Sequence, residues 1–165
     1  MSRTYPNTAP RRLINVLVRT LLRLGLMPRP YYLLTTVGRR TGQPHTTPVE
    51  LVEAGDQRWL VAPYGETDWV RNARAAGWVT LSRGRRSERV RITELDIGER
   101  APILRTYLRN MPIVRPFFEA SPDAPLDAFT AEAVRHPVFR IDGPVDGNEG
   151  TGPARKSRAG FASRD

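Results

Sequence analysis

Short extended segments joined by Gly- and Pro-containing turns fill the middle of the chain, and this pattern constrains the fold most. The aromatic and β-branched run Tyr31–Val37 predicts a strand. Gly38–Pro44 has the composition of a turn. Extended character resumes over Thr46–Val52, where Pro48 indicates an edge or a bulge, and again over Gln57–Ala62.

The second half of the sequence adds a hairpin and three helices. A helix capped by Thr67 or Asp68 is predicted to run to Ala76 and to stop at Gly77. The remaining predicted elements are the hairpin Trp78–Ser82 and Glu88–Leu95, helices over Glu99–Asn110 and Asp127–Arg135, and a last strand Val138–Ile141. Strands in hairpin-linked succession with inserted helices predict a mainly β (α+β) antiparallel barrel. The crossovers and Gly-rich loop of a Rossmann fold are missing from the pattern.

Charge is concentrated at the N-terminus. The chain has a net charge of +9, and residues 1–30 hold six arginines without an acidic residue. Residues 143–165 carry +1, which leaves +2 for residues 31–142. A helix is predicted from Pro10 to Leu26, with Arg12, Arg19 and Arg23 opposite a broad apolar side. That helix packs on its own domain or lies on an anionic membrane surface.

These features divide the chain into three parts. They are a basic amphipathic helix (residues 1–28), a barrel domain (residues 29–142) and a flexible Gly-, Ser- and Pro-rich tail (residues 143–165). Arginines interrupt the helix too often for a membrane span, and no signal-peptide pattern is present. We therefore expect a cytoplasmic protein, with peripheral contact to the inner face of the membrane through residues 10–26.

Composition also excludes several chemistries. The sequence has no cysteine and only two histidines, His45 and His136, so thiol catalysis and Cys- or His-rich metal sites are not expected. It also lacks a G-x-S-x-G motif. We expect no metal ion at the site.

The first candidate site is the turn Gly38–Gln43. Its flexible backbone amides, the guanidinium groups of Arg39 and Arg40 and the hydroxyl of Thr41 are groups that hold phosphate or clustered carboxylates. The return strand adds hydroxyl groups at Thr46 and Thr47. A solvated hairpin tip is the alternative interpretation.

The second candidate site is the strand end Ala62–Gly65 and the helix that follows it. The N-terminus of a helix favours an anion or the electron-rich edge of a ring system. Trp69 and Asn72, three residues apart, share one face of this helix. A core anchor at Trp69 and a cap at Asn72 are the structural alternative.

Together the two segments resemble a known family. Tyr32–Pro48, which contains TTVGRRTGQPHTTP, is similar to the opening signature of the deazaflavin-dependent nitroreductase family of small split β-barrel proteins. Leu60–Gly65 with Trp69–Asn72 resembles the second signature of that family, at the matching separation. The looser resemblance extends to about Phe139.

The resemblance implies a cofactor, coenzyme F-420, and a set of residues that bind it. This deazaflavin carries hydride on a ring carbon and ends in a phosphate and several γ-linked glutamates. The implied phosphate and tail site comprises Arg39, Arg40 and Thr41, with Gly42 and Gln43 in the same turn. The implied ring site comprises His45, Thr46, Thr47, Pro48, Val61, Ala62, Pro63 and Tyr64, completed from the helix by Trp69, Arg71 and Asn72.

The implied reaction is hydride transfer to a small, hydrophobic, electron-poor acceptor with an activated C=C, quinone or nitro group. Tyr64 is the candidate proton donor, and a packing role is its alternative. Four residues at three places depart from the family pattern: His45 replaces a basic residue, Pro63-Tyr64 replaces small polar and lysine residues, and Glu50 replaces an aromatic residue. Nitro reduction is therefore a family label rather than an expectation for this chain.

Two other classes of function are open to the sequence. The same architecture suits an FMN- or haem-binding split barrel. A non-enzymatic basic module for membrane or nucleic acid fits the net charge, although the near-balanced barrel domain carries no nucleic-acid motif and we expect no such partner. Split barrels often form dimers, so a homodimer is possible.

Overall fold

A computed structural model describes residues 9–27 and 30–145, and within these ranges it contains six strands and four α-helices. The helices are α1 (Ala9–Arg23), α2 (Asp68–Ala76), α3 (Ile97–Asn110) and α4 (Leu126–Ala133). A 3-10 helix spans Pro112–Phe117. The strands are β1 (Tyr31–Val37), β2 (Pro44–Ala54), β3 (Gln57–Val61), β4 (Trp78–Arg83), β5 (Arg86–Glu94) and β6 (Val138–Pro144).

The strands close into an antiparallel barrel in the order β1-β2-β3-β6-β5-β4. The predicted antiparallel barrel with inserted helices is thus confirmed. Its interior is filled by apolar side chains such as Leu34, Leu60 and Leu81, each at most 1% exposed. A second core, outside the barrel, packs α3, α4 and the 3-10 helix onto Val52, Val61 and Val138. Residues that alternate along one strand therefore serve two different cores.

The first half of β2 has one neighbouring strand among the described residues. It pairs with β1 over Pro44–Glu50, whereas β3 pairs with β2 only over Leu51–Ala54. Pro48 lies in the singly paired half, opposite Leu33, which agrees with its predicted edge position. This half of β2 therefore has one backbone edge with which no strand of the described residues pairs.

The end of α1 is fixed to the β4–β5 hairpin by close backbone contact. Leu22 is fully buried, and its carbonyl accepts a hydrogen bond from the Gly84 amide at 2.8 Å. A Cβ added at Gly25 would lie 3.3 Å from the Cα of Gly84, so the two backbones nearly touch. Gly25 also has a φ of 70°, and it ends the helix at Arg23 rather than at the predicted Leu26.

Several element boundaries differ from the sequence prediction for local reasons. The Asp96–Glu99 capping box starts α3 at Ile97 rather than Glu99. The last strand continues past Ile141 to Pro144, and the rest of the predicted tail from residue 146 lies outside the described residues. None of the helices in the described segments has the length and apolar character needed to cross a bilayer.

Candidate functional site

The loop Gly38–Gln43, which we call the arginine turn, is held closed by its own backbone. The Gly38 amide donates to the Gln43 carbonyl at 2.8 Å, and the Gly42 amide donates to the Gly38 carbonyl at 2.8 Å. The Gln43 amide donates to the Thr41 hydroxyl oxygen at 3.3 Å. The amides of Gly38, Gly42 and Gln43 therefore already have acceptors, which leaves the arginine side chains as the main charged groups that the turn offers to a ligand.

The structure brings the arginine turn into direct contact with α2. The backbone amide of Arg39 donates to Oδ1 of Asn72 at 3.2 Å, and its Nη1 donates to the same oxygen at 3.0 Å. Asn72 is 4% exposed, and α2 is delimited by Thr67 before it and Gly77 after it, as the sequence predicts. The two candidate segments therefore form one region, in which Asn72 orients the turn.

The arginines of this region differ in how far they are neutralised. Arg39 is 3.5 Å from the carboxylate of Asp68. Arg71 lies 3.9 Å from Asp68 and 4.0 Å from Glu66. Arg40, at the exposed tip of the turn, has no ion-pair partner within residues 9–27 and 30–145. Arg40 is therefore the guanidinium group most available to an anionic ligand.

Beside the turn, β2 presents a row of alternating residues on the face opposite the barrel interior. His45 is exposed, and the Thr46 hydroxyl lies 2.8 Å from that of Thr35. Thr46, Thr47 and Pro48 are half-buried along the uncovered edge. Strand periodicity places Thr46, Pro48 and Glu50 on one face, about 7 Å apart in succession.

The start of the segment Ala62–Gly65 is buried, whereas a loop that lines a ligand site would expose its side chains to the ligand. Val61 is buried in the outer core, Ala62 is buried in the barrel interior and Pro63 is buried as well. Tyr64 is the exposed residue of the predicted ring-lining segment at 42%, and its ring meets Phe117 edge to face at 4.6 Å. Trp69 is half-buried, 6.0 Å from the ring of Phe139. Side-chain contact with a ligand would therefore come from Tyr64 and the outer edge of Trp69.

A buried polar cluster, which the sequence did not indicate, supports that segment from α4. Oε1 of Glu132, a residue 1% exposed, accepts the amides of Glu119 at 2.5 Å and Ala120 at 2.7 Å. Its Oε2 lies 3.2 Å from Nε2 of His136, whose Nδ1 is 3.3 Å from the Ala62 carbonyl. Burial lowers the pKa of His136 and so favours its neutral form, in which one of the two ring nitrogens carries a proton.

A second pair, also unassigned by sequence reasoning, lies on the same face of β2. The Tyr107 hydroxyl of α3 donates to Oε2 of Glu50 at 3.0 Å. Tyr107 also lines a cleft of about 270 Å³ between β2 and α3, together with Glu53, Asn110 and the apolar residues Pro30, Leu51, Val52 and Met111. We call this space the β2–α3 cleft. Only the tertiary fold reveals the pair, because 57 residues separate its members.

Gly38 is the glycine of the arginine turn at which an added side chain would have the least space. A Cβ there would lie 2.6 Å from the Thr41 hydroxyl and 2.9 Å from Nε2 of His45. Gly38→Ala is expected to force the turn open and to lower the free energy of unfolding by about 1–3 kcal/mol, as overpacking does. Chemical denaturation measures this loss.

Gly98→Ala is the matched control for that substitution, because nothing lies within 4 Å of its added Cβ in the first turn of α3. We expect it to be neutral or stabilising by at most about 1 kcal/mol. Equal stability of the two variants would contradict the close packing over Gly38.

Comparisons with known proteins identify the fold and the family. Residues 13–114 match the family model described as F420H(2)-dependent quinone reductase. A solved structure described as a domain-swapped dimer is 20% identical and covers 81% of this chain and 100% of its own, with a TM-score of 0.52. A structure titled F420-H2 Dependent Reductase is also 20% identical, covers 70% of this chain and 96% of its own, and has a TM-score of 0.50.

A protein of unknown function from Agrobacterium tumefaciens shares the fold at 14% identity and a TM-score of 0.53, over 88% of this chain and 59% of its own. No curated protein matches the sequence. The solved structures support the split-barrel fold, and the family model spans both candidate segments. The chain therefore belongs to the F420H(2)-dependent quinone reductase family and is an oxidoreductase with coenzyme F-420 as its cofactor.

Proposed function

We propose that this chain uses reduced coenzyme F-420 to reduce a quinone, and that it binds the anionic tail of the cofactor at the arginine turn. The observation that carries this proposal is the joining of two separate sequence segments by the Arg39–Asn72 hydrogen bonds, beside an Arg40 without a counter-ion among the described residues. A phosphate followed by carboxylates is the ligand chemistry that such a guanidinium group favours.

The proposed ring site is the uncovered edge of β2. Backbone N–H and C=O groups on an unpaired strand edge can bind polar ring atoms of a ligand, as they would bind another strand. His45, Thr46, Thr47 and Pro48 would lie along the ring, with Tyr64, Trp69 and Arg71 at its margin and Asn72 holding the turn. The cofactor supplies two electrons as hydride, and the protein supplies orientation and exclusion of water.

The test is the binding of coenzyme F-420 to the purified protein, followed by cofactor fluorescence, with FMN as the competing ligand. We expect saturable binding of coenzyme F-420 that weakens as salt increases, because ion pairs are screened. A panel of quinone, activated C=C and nitro acceptors then identifies the substrate, and we expect the quinone to be reduced fastest. Tight binding of FMN or haem without coenzyme F-420 would favour the alternative cofactor.

Helix α1 supports a peripheral membrane contact in this proposal. Leu22 is buried against the barrel, yet Val16 and Leu17 of α1 and Leu24 and Leu26 just after it are 58–67% exposed. Residues 11–23 of the same helix include four arginines. Exposed apolar residues among arginines are the pattern of a helix that lies on an anionic lipid surface. A quinone dissolved in lipid would be reached from such a position.

Sedimentation with lipid vesicles tests this contact. We expect the protein to sediment with phosphatidylcholine vesicles containing phosphatidylglycerol and to lose most of that binding as Leu17→Gln/Leu24→Gln, since each buried leucine contributes about 1.5–3 kcal/mol. Ile113→Gln is the control, because Ile113 is 73% exposed on the 3-10 helix. Unchanged sedimentation of the double variant would place the membrane contact elsewhere.

A homodimer is the proposed assembly. Its support is the similarity of the fold to the structure described as a domain-swapped dimer. Light scattering after gel filtration measures the mass, and a monomer at micromolar concentration would contradict this part of the proposal.

A further inference from the structure

Glu50 is the carboxyl group on the outer face of β2 closest in sequence to the proposed ring site. It is half-buried, two residues after Pro48 on the same face of the strand. Tyr31 of β1 is its cross-strand neighbour, and Tyr107 of α3 donates to it at 3.0 Å. Within the described ranges 9–27 and 30–145, no arginine or lysine pairs with Glu50.

We propose that Tyr107 and Glu50 deliver a proton to an oxygen atom of a quinone-type acceptor bound in the β2–α3 cleft. This inference rests on the proposed quinone reduction and assigns its acceptor site and its proton donor. Tyr107 belongs to both features, because it lines the cleft and is bonded to Glu50.

The cleft has the chemistry of a site for one planar ring system. Val52 and Met111 of the outer core provide apolar contacts, while Glu53, Asn110 and Tyr107 provide a few polar groups. Its volume of about 270 Å³ is at the small end of ligand pockets and suits a quinone head group rather than a whole lipid.

The cleft also lies close in the chain to the end of α1. Pro30 lines it, and the exposed Leu26 of the α1 end precedes Pro30 by four residues. Four residues of extended chain span at most about 14 Å. The apolar tail of a membrane quinone could therefore leave the cleft along the apolar side of α1.

The proton transfer balances without any further reactant. Reduction adds a hydride and its two electrons to the quinone, which leaves negative charge on a quinone oxygen. The O–H bond of Tyr107 breaks as a new O–H bond forms on that oxygen. Glu50 returns a proton to the phenolate oxygen, and solvent protonates Glu50 again. With Glu50 protonated, their hydrogen bond can run from carboxyl to phenol, which frees the phenolic hydrogen for the acceptor.

Electrostatics agree with this geometry. Burial raises the pKa of Glu50, whereas hydrogen bonds from arginines lower the pKa of Glu94 and Glu119. The phenols that face the pair are Tyr31 and Tyr64. Burial, and then the Glu50 charge, raise the pKa of Tyr107, so Tyr107 can release its proton only as protonated Glu50 replaces it. A carboxyl group that stays protonated above its ordinary range suits a proton donor.

The first experiment tests the cleft in the protein without cofactor. Calorimetric titration of 1,4-naphthoquinone measures its binding, and Asn110→Trp fills the cleft from an exposed position. We expect Asn110→Trp to weaken naphthoquinone binding at least tenfold and to leave the affinity for coenzyme F-420 within twofold. Thr106→Trp is the control, one turn earlier on α3 and outside the cleft lining.

The second experiment tests the proton donor with Tyr107→Phe and Glu50→Gln. We expect kcat at pH 7 to fall about 100-fold in Tyr107→Phe and about tenfold in Glu50→Gln, within the range for general acid catalysis. The wild-type rate should fall as pH rises through the pKa of Glu50, because the donor loses its proton, and Glu50→Gln should lack this decrease. Tyr32→Phe, which loses a comparable bond to Glu53, is the control.

The outcomes separate this inference from the proposed function. If Tyr107→Phe kept the wild-type kcat and pH profile, the Tyr107–Glu50 hydrogen bond would have only a structural role, connecting α3 to β2. If Asn110→Trp bound naphthoquinone as tightly as the wild type does, the cleft would be excluded as the acceptor site. Failure of the wild type to bind coenzyme F-420 would instead overturn the proposed function, and the naphthoquinone titration would still decide the cleft.

Discussion

Arg39→Gln/Arg40→Gln is expected to weaken the binding of coenzyme F-420 about 100-fold while the protein stays folded. A hydrogen bond to a charged group contributes about 1.5–3 kcal/mol, and the double variant removes two guanidinium groups from the proposed tail site. Arg40→Gln alone should account for about tenfold, since Arg40 has no counter-ion in the described part of the chain. Cofactor fluorescence at two salt concentrations measures both the affinity and its flatter salt dependence.

Arg85→Gln/Arg86→Gln is the matched control for this loss of charge. It removes the same two charges from another hairpin turn, between β4 and β5, where both arginines are exposed. Because exposed charges farther apart than about 10 Å are largely screened at 0.1 M salt, the control should bind the cofactor almost as the wild type does. Equal affinity of the two double variants would exclude the arginine turn as the tail site.

Glu132→Ala is expected to lower the free energy of unfolding by about 3–5 kcal/mol, the usual cost of breaking a buried charged network. The substitution leaves the amides of Glu119 and Ala120 without their acceptor and removes one of the two carboxylates that pair with Arg135. For a chain of this length the loss corresponds to a decrease in Tm of about 10 °C. Calorimetry and denaturant titration measure it.

Two other variants show which interaction of Glu132 accounts for the loss of stability. Glu132→Gln keeps an oxygen for the two amides and should lose less than half as much stability. Glu119→Gln removes only a carboxylate whose side chain is 79% exposed, so we expect no measurable loss of stability. A Glu132→Ala protein within 1 kcal/mol of the wild type would mean that water replaces the carboxylate.

Local sequence patterns predicted the elements whose ends are set by neighbouring residues. The aromatic and β-branched run gave β1 at Tyr31–Val37, and Thr67 and Gly77 delimited α2. These signals act over a few residues, so a single sequence contains them. The 3-10 helix Pro112–Phe117 was missed because its two prolines indicate a loop rather than a helical turn.

Contacts between distant residues could be predicted only in part. The resemblance placed the arginine turn and α2 in one site, but the Arg39–Asn72 hydrogen bonds depend on how β1 and α2 pack. Glu50 drew notice as a departure from a family pattern, whereas Tyr107 carried no signal in a helix of mostly apolar and basic residues. In the sequence Glu132 likewise looks like a solvent-exposed acid on α4. Its burial depends on the loop after the 3-10 helix, whose amides donate to it.

The close contact between Gly25 and Gly84 fixes the orientation of the N-terminal helix relative to the barrel. With no side chain between the two backbones and the Leu22 carbonyl bonded across the junction, the helix has little freedom to swing as a separate arm. A surface that binds its exposed leucines would therefore also fix the orientation of the barrel relative to that surface. That orientation would in turn determine from which side small molecules reach the barrel.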